Sequence, residues 1–170
     1  CRIITKRGSV SLIMFEPEII AFCCEYCGYS AADLAGAMRV EYPPNVVIVR
    51  VPCAGYLTPV HILRVFEEGY DGVFIASCLE GSCQYRTGNE RAEKMVSIVK
   101  KLLDEVRIGG ERLEIYKMAS SMGKYFADIA INMTEKIKKL GPNPIKLIEE
   151  KFEEEEHKQL KEMGVGISNT

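Results

Sequence analysis

The apolar positions of this chain fall into short continuous runs that alternate with stripes at helical spacing. Ile19 to Phe22, Val46 to Val51 and Asp71 to Ser77 are the runs, rich in β-branched and aromatic side chains and bounded by turn residues, as strands buried on both faces are. The stripes follow them: Ala31, Leu34, Ala35 and Met38 in Ser30–Val40, then Ile62, Leu63, Val65 and Phe66 in Thr58–Gly69. Ala92, Met95, Val96, Val99, Leu102, Leu103 and Val106 mark the longest, from Thr87 to Arg107. Arg112 to Met118 alternates and predicts a fourth strand, half buried at a sheet edge; a helix from Ser120 or Ser121 to about Lys139 follows, stopped by Gly141-Pro142-Asn143-Pro144. Ser30 is placed to cap the first helix, Pro59 to sit in the first turn of the second and Gly69 to close it.

Strand and helix alternate four times, which predicts an α/β domain: an open parallel sheet of about four strands with flanking helices and right-handed crossovers. Among doubly wound (Rossmann-like) variants a flavodoxin-like strand order is the preferred one. Residues 18–141 form this domain. Residues 1–17 form an N-terminal extension that reads as a short hairpin turning at Gly8, and residues 142–170 a strongly charged helical tail around Glu149–Glu156.

Composition narrows the class. At 170 residues, 47% hydrophobic and 27% charged, the chain has the make-up of one soluble globular domain. A formal charge of −2 with scattered Lys and Arg gives no reason to expect nucleic acid. No apolar run approaches the roughly 20 residues that span a bilayer. Neither a G-x-G-x-x-G after the first strand nor a phosphate-binding G-x-x-x-x-G-K-[ST] occurs. His61 and His157 carry no ligand pattern, and a cytoplasmic location is expected.

The cysteines change the picture. There are seven, an odd number in a chain with ample apolar periodicity, which argues for metal or redox chemistry rather than a disulfide scaffold. Cys23 and Cys24 end the first run, Cys53 follows the second and Cys78 the third, with Cys27 and Cys83 in the adjoining loops. If the strands are parallel, all of these arrive at the carboxyl edge of the sheet, where loops diverge and helix N-termini point inward. Such a thiol set suits an iron-sulfur cluster, which takes four thiolates from separate loops and needs main-chain N–H groups around its sulfurs. Gly28, Gly55 and Gly81 would let main chain approach closely. A binuclear cluster is the better fit to this set, although four thiolates serve a four-iron cluster as well and composition does not choose between them. Two other readings stay open: a closed zinc site in an interaction module, and thiol-disulfide exchange through Cys24-Glu25-Tyr26-Cys27, which would leave Cys53, Cys78 and Cys83 without a role.

Across residues 18 to 135 the sequence resembles the delta subunit family of methyl-viologen-reducing hydrogenase, the iron-sulfur component associated with heterodisulfide reductase. Phe22 to Gly36, Tyr42 to Val46, Arg50 to Gly55, Phe66 to Val73 and Cys78 to Asn89 carry the resemblance. It implies an electron-transfer subunit with a [2Fe-2S] cluster, relaying electrons between a hydrogenase or formate dehydrogenase module and the flavin-containing subunit of heterodisulfide reductase. That assembly is hetero-oligomeric, performs flavin-based electron bifurcation and serves methanogenesis. Cys24, Cys27, Cys53, Cys78 and Cys83 are the matching cysteines, one more than a simple binuclear site needs. Cys23 is the least favoured candidate, and Cys1 lies outside the match. No substrate turnover is expected from the chain alone. The N-terminal extension and the acidic tail inherit nothing from the resemblance.

Overall fold

The four buried runs pair edge to edge as one parallel sheet. The computed structural model describes residues 15–146 and 148; the predicted N-terminal hairpin and most of the charged tail lie outside them. Strands β1 (Ile19–Cys24), β2 (Val46–Val51), β3 (Gly72–Cys78) and β4 (Leu113–Met118) are ordered β2-β1-β3-β4, all neighbours parallel. This is the flavodoxin-like order, in which the direction of winding across the sheet reverses between β1 and β3.

Side-chain alternation along the central strands divides the core into two layers. Ile19, Ala21 and Cys23 of β1 and Phe74 and Ala76 of β3 face α1 (Ser30–Ala37) and α4 (Gly123–Leu140). Ile20, Phe22, Val73 and Ile75 face α2 (Pro59–Glu67) and α3 (Gly88–Glu105). β1 and β3 are buried at every position, whereas β2 and β4 are exposed or half-buried in their middles, as edge strands are. β4 is therefore the half-buried edge expected of it. Glu114 on this edge is clasped by Lys100 at 2.7 Å and Lys136 at 2.6 Å.

Several boundaries differ from the sequence reading. β1 runs to Cys24 rather than Phe22 and β3 to Cys78 rather than Ser77, because a buried thiol packs as a small hydrophobe and lets the ladder continue. Ser30 does not cap α1: a single π-helical turn, Glu25–Tyr29, runs straight into that helix, so Tyr29 at the cap position is already helical and Ser30 Oγ donates to Glu25 O. α1 stops at Ala37, before the expected Val40, and Arg39 turns the chain away with φ +52°. α4 starts at Gly123, after Ser120 and Ser121, where a side chain would stand 2.8 Å from Ala35 N.

The amino edge of the sheet is closed by polar side chains. Asn143, fully buried, donates from Nδ2 to Phe66 O and Tyr70 O at 2.8 and 2.9 Å, and its N–H reaches Asp71 Oδ1. Arg112 donates to the carbonyls of Ile108, Asp71, Gly141 and Pro142. These bonds anchor the Gly141–Pro144 segment and leave the carboxyl edge open. No helix among the described residues is long and apolar enough to cross a membrane.

Candidate metal centre

Three neighbouring strands deliver thiols to the carboxyl edge. Cys24 is the last residue of β1, Cys78 the last of β3, and Cys53 follows β2 after Pro52. The π-helical turn carries Cys27 back over the edge, and the loop after β3 returns Cys83 in front of α3. Cys24, Cys27 and Cys78 are buried and form one cluster, with Cys83 packed against it. The Cys24 and Cys78 sulfurs are 3.6 Å apart, Cys27 packs in the same cluster, and the Cys53 and Cys83 sulfurs both lie against Gly88. None of the six described cysteines is in a disulfide. Cys23 points to the opposite layer, among the α1 and α4 side chains, and burial pushes its thiol up to about 12. It is a core residue.

Two thiolates on one tetrahedral metal, with bonds of about 2.3 Å, stand about 3.8 Å apart, so the Cys24–Cys78 separation suits a shared metal atom. Among the described residues no group of three or more His, Cys, Asp or Glu side chains is disposed to hold a single ion. The thiols come instead from separate loops, with Cys24, Cys27 and Cys78 clustered and Cys83 packed against them.

Glycines make the convergence possible. A Cβ on Gly28 would lie 2.5 Å from Ala76 O, so the π-helical turn rests directly on β3. A Cβ on Gly55 would lie 2.7 Å from Gly88 Cα, and one on Gly88 would strike Cys53 Sγ and come 3.1 Å from Cys83 Sγ. Gly28 and Gly55 thus serve close approach. Gly81 does not: open space surrounds it, and its φ of +71° makes it a turn glycine.

The two ends of the thiol group differ electrostatically. Burial raises Cys27 and Cys78, and the neighbouring thiols add to the effect at Cys78. Burial also raises Cys53, partly offset by the Gly55 N–H, which meets its sulfur at 3.4 Å. Cys83 behaves oppositely. Burial works against its thiolate, but the N–H groups of Tyr85, Asn89 and Gly88 and the Cys53 thiol outweigh it and hold its pKa below the ordinary value. Beside Cys53 and Gly88 lies a crevice of about 340 Å³, lined also by Tyr56, Tyr85 and Arg91. Tyr26 and Tyr85, both exposed, meet edge to face at 6.2 Å, and Arg86 is exposed with φ +68°.

Sequence reasoning gave no role to Gly88 or Asn89. The faint signal was their position: a Gly-Asn step opening a helix five residues after a cysteine. Asn89, 3% exposed, donates from Nδ2 to Leu79 O at 3.1 Å and to Cys78 O at 3.5 Å.

Fold and site together define a doubly wound α/β domain whose carboxyl edge is lined with thiols. The family model for "Methyl-viologen-reducing hydrogenase, delta subunit" matches residues 19–141, and the chain belongs to that family. It is 47% identical over 133 residues to the vhu iron-sulfur subunit of the F420-non-reducing hydrogenase of Methanococcus maripaludis, covering 78% of this chain and 99% of that protein. The corresponding vhu iron-sulfur subunit of Methanopyrus kandleri is 46% identical over 127 residues, 75% of this chain and 96% of its own. A further match, 30% identical over 126 residues, is to one subunit of the ferredoxin:CoB-CoM heterodisulfide reductase of Methanosarcina mazei; it covers 74% of this chain but 16% of that longer protein.

Proposed function

We propose that this chain is a cytoplasmic electron-transfer subunit in which four of the thiols of Cys24, Cys27, Cys53, Cys78 and Cys83 hold a [2Fe-2S] cluster. The observation that carries the reading is the arrival of five thiols, from three adjacent strand ends and the loops that follow them, at one edge. When bound, such a cluster supplies one-electron redox chemistry. The chain's own part is to deliver the thiolates, to exclude water at Cys24, Cys27 and Cys78 through burial, and to aim N–H groups at the sulfurs of Cys53 and Cys83. Gly28, Gly55 and Gly88 supply the close main-chain approach that this requires.

The partners we propose are a hydrogenase or formate dehydrogenase module on one side and the flavin-containing subunit of heterodisulfide reductase on the other, in a flavin-based bifurcating complex of methanogenesis. The names of the hydrogenase relatives support the first, and the similar stretch carried inside a longer heterodisulfide reductase chain supports the second. Thiol-disulfide exchange is the weaker reading. It leaves Cys53, Cys78 and Cys83 without a role, and the Cys24 sulfur meets that of Cys78 at 3.6 Å.

The test is iron and acid-labile sulfide content of anaerobically purified protein, with electron paramagnetic resonance after dithionite reduction. About two irons and two sulfides per chain, with a binuclear reduced-state signal, are expected. Loss of that signal in Cys53→Ser or Cys78→Ser would separate the cluster from a Cys24/Cys27 disulfide. Colourless protein holding zinc, or metal-free protein with a reversible disulfide, would overturn the reading.

A further inference from the structure

The helix that follows Cys83 begins without a side-chain cap. Thr87, at the cap position of α3, makes no side-chain bond to the first turn, although the leading N–H groups of a helix need acceptors. The start of α3 lies instead on Cys83: a Cβ on Gly88 would stand 3.1 Å from its sulfur, and the main-chain N–H groups of this turn hold the Cys83 pKa below its ordinary value. What keeps the first turn of α3 against that sulfur is the Asn89 side chain. An asparagine fastening a helix start ordinarily stands at the cap and accepts from the turn ahead; Asn89 stands inside the helix and directs its amide the other way. Both Nδ2 contacts go back to the end of β3, at Cys78 O and Leu79 O, while Oδ1 accepts from Glu90 N–H at 3.0 Å.

One buried residue therefore joins the strand end that carries Cys78 to a helix start that lies on the sulfur of Cys83. The tight turns between them allow little slack. Arg86 N–H bonds to Cys83 O at 2.9 Å and Thr87 N–H to Tyr85 O at 2.8 Å, around an Arg86 held at φ +68°.

We propose that Asn89 is the positioning residue of the centre: by clamping α3 to the end of β3 it fixes the spacing of Cys78 and Cys83 and aims main-chain N–H groups at the Cys83 sulfur. The inference rests on the cluster reading above and goes beyond it by naming the group that tunes the site. N–H donors to a thiolate sulfur stabilise negative charge there and raise the reduction potential of the iron that it binds. Asn89 acts through Cys83 and need not touch a metal itself.

The experiment compares Asn89→Ala with Asn143→Ala on full-length, anaerobically purified protein. Both remove a buried amide that donates to two carbonyls, one at the carboxyl edge and one at the amino edge. Iron per chain, midpoint potential, melting temperature and the shift of the iron-sulfur Raman bands on H/D exchange are read for each. Asn89→Ala is expected to lower the midpoint potential and shrink the H/D shift; Asn143→Ala is expected to lower the melting temperature with potential and H/D shift unchanged. If Asn89→Ala does not accumulate as folded protein, Asn89→Ser, with a shorter donor, is expected to move potential and H/D shift in the same directions. An iron-loaded Asn89 variant with the wild-type potential and H/D shift, or an Asn143→Ala that moves the potential as far, would overturn the inference alone. A wild-type protein without iron would defeat the functional reading and this inference with it.

Discussion

Gly28 and Gly36 sit eight residues apart in one nearly continuous helical stretch, and substitution by alanine should act on them in opposite directions. At Gly28 the new methyl would lie 2.5 Å from Ala76 O and 2.6 Å from Ala76 Cβ, against ordinary contacts of about 3.5–4.0 Å. The π-helical turn would have to rise by about 1 Å to restore them. The obstacle is main chain of β3, held in a ladder on both sides, so it cannot turn aside as a long side chain would. Overpacking of this kind costs about 1–3 kcal/mol, and for a domain of this size each kcal/mol lowers Tm by about 4 °C. A fall of about 4–12 °C is expected. Cys27, the residue before Gly28, would rise with the turn and leave Cys78, so iron per chain should fall as well. At Gly36 a methyl meets nothing within 4 Å, and alanine gains about 1 kcal/mol of helix propensity over glycine. Thermal melts followed by circular dichroism, with iron analysis of the same samples, decide the matter. Gly28→Ala with wild-type Tm and iron, or Gly36→Ala with an equal loss, would refute the packing argument.

Gly88→Ala should keep the secondary structure and lose bound iron, because its methyl would occupy the space of Cys53 Sγ; iron analysis beside far-ultraviolet circular dichroism checks this. Cys23→Ala should leave iron per chain unchanged and lower stability by about 1 kcal/mol, and the native protein should resist alkylation at Cys23 at pH 8, where its thiol stays protonated. Burial opposes ionisation of Glu114, but its bonds to Lys100 and Lys136 prevail and lower its pKa in the folded state. Its contribution is therefore complete above the unfolded carboxyl pKa of about 4.3 and is lost as the pH falls through the lower folded value. Urea melts at pH 6, 4 and 3 should show the advantage of the wild type over Glu114→Gln shrinking as acid is added; a constant gap would count against it. Chelation of the iron should lower Tm without unfolding the chain, because both apolar layers lie below the thiol edge and need no metal to form.

The two layers were legible in the sequence because period-2 and period-3.6 patterns act locally. Ile19 to Phe22 could only be a strand buried on both faces, and Ala92 to Val106 only a helix with one apolar stripe. The thiol edge was legible for the same reason, since each cysteine follows its run at a fixed distance and a parallel sheet brings the run ends together. Strand ends were set short because the cysteines were left outside the apolar runs: Cys23, the last residue but one of β1, pairs on both sides and packs as the small apolar side chain that made it the least favoured ligand. What the pattern could not give is non-local. Gly88 matters because Gly55 and Cys53, more than thirty residues earlier, press against it, and Asn89 because the end of β3 lies within reach of its amide. A π-helical turn has no periodic signature over five residues, so Ser30 looked like a cap.

The five thiols are unequal, and the inequality follows from where each enters the edge. Cys24, Cys27 and Cys78 come from the two central strands and the turn above them, so they are enclosed by main chain and by one another. Cys53 and Cys83 come from an edge strand and from the loop before α3, where a helix start supplies N–H groups and the surface is close. Negative charge is therefore costly at Cys27, Cys78 and Cys53 and supported at Cys83. A cationic centre held by these thiols would compensate the buried ones and meet N–H donors at Cys83. Cys53 and Gly88, the first residue of α3, line the crevice with Tyr56, Tyr85 and Arg91. The fold thus leaves the thiol best able to hold negative charge, Cys83, as the one thiol of the five that is not fully buried.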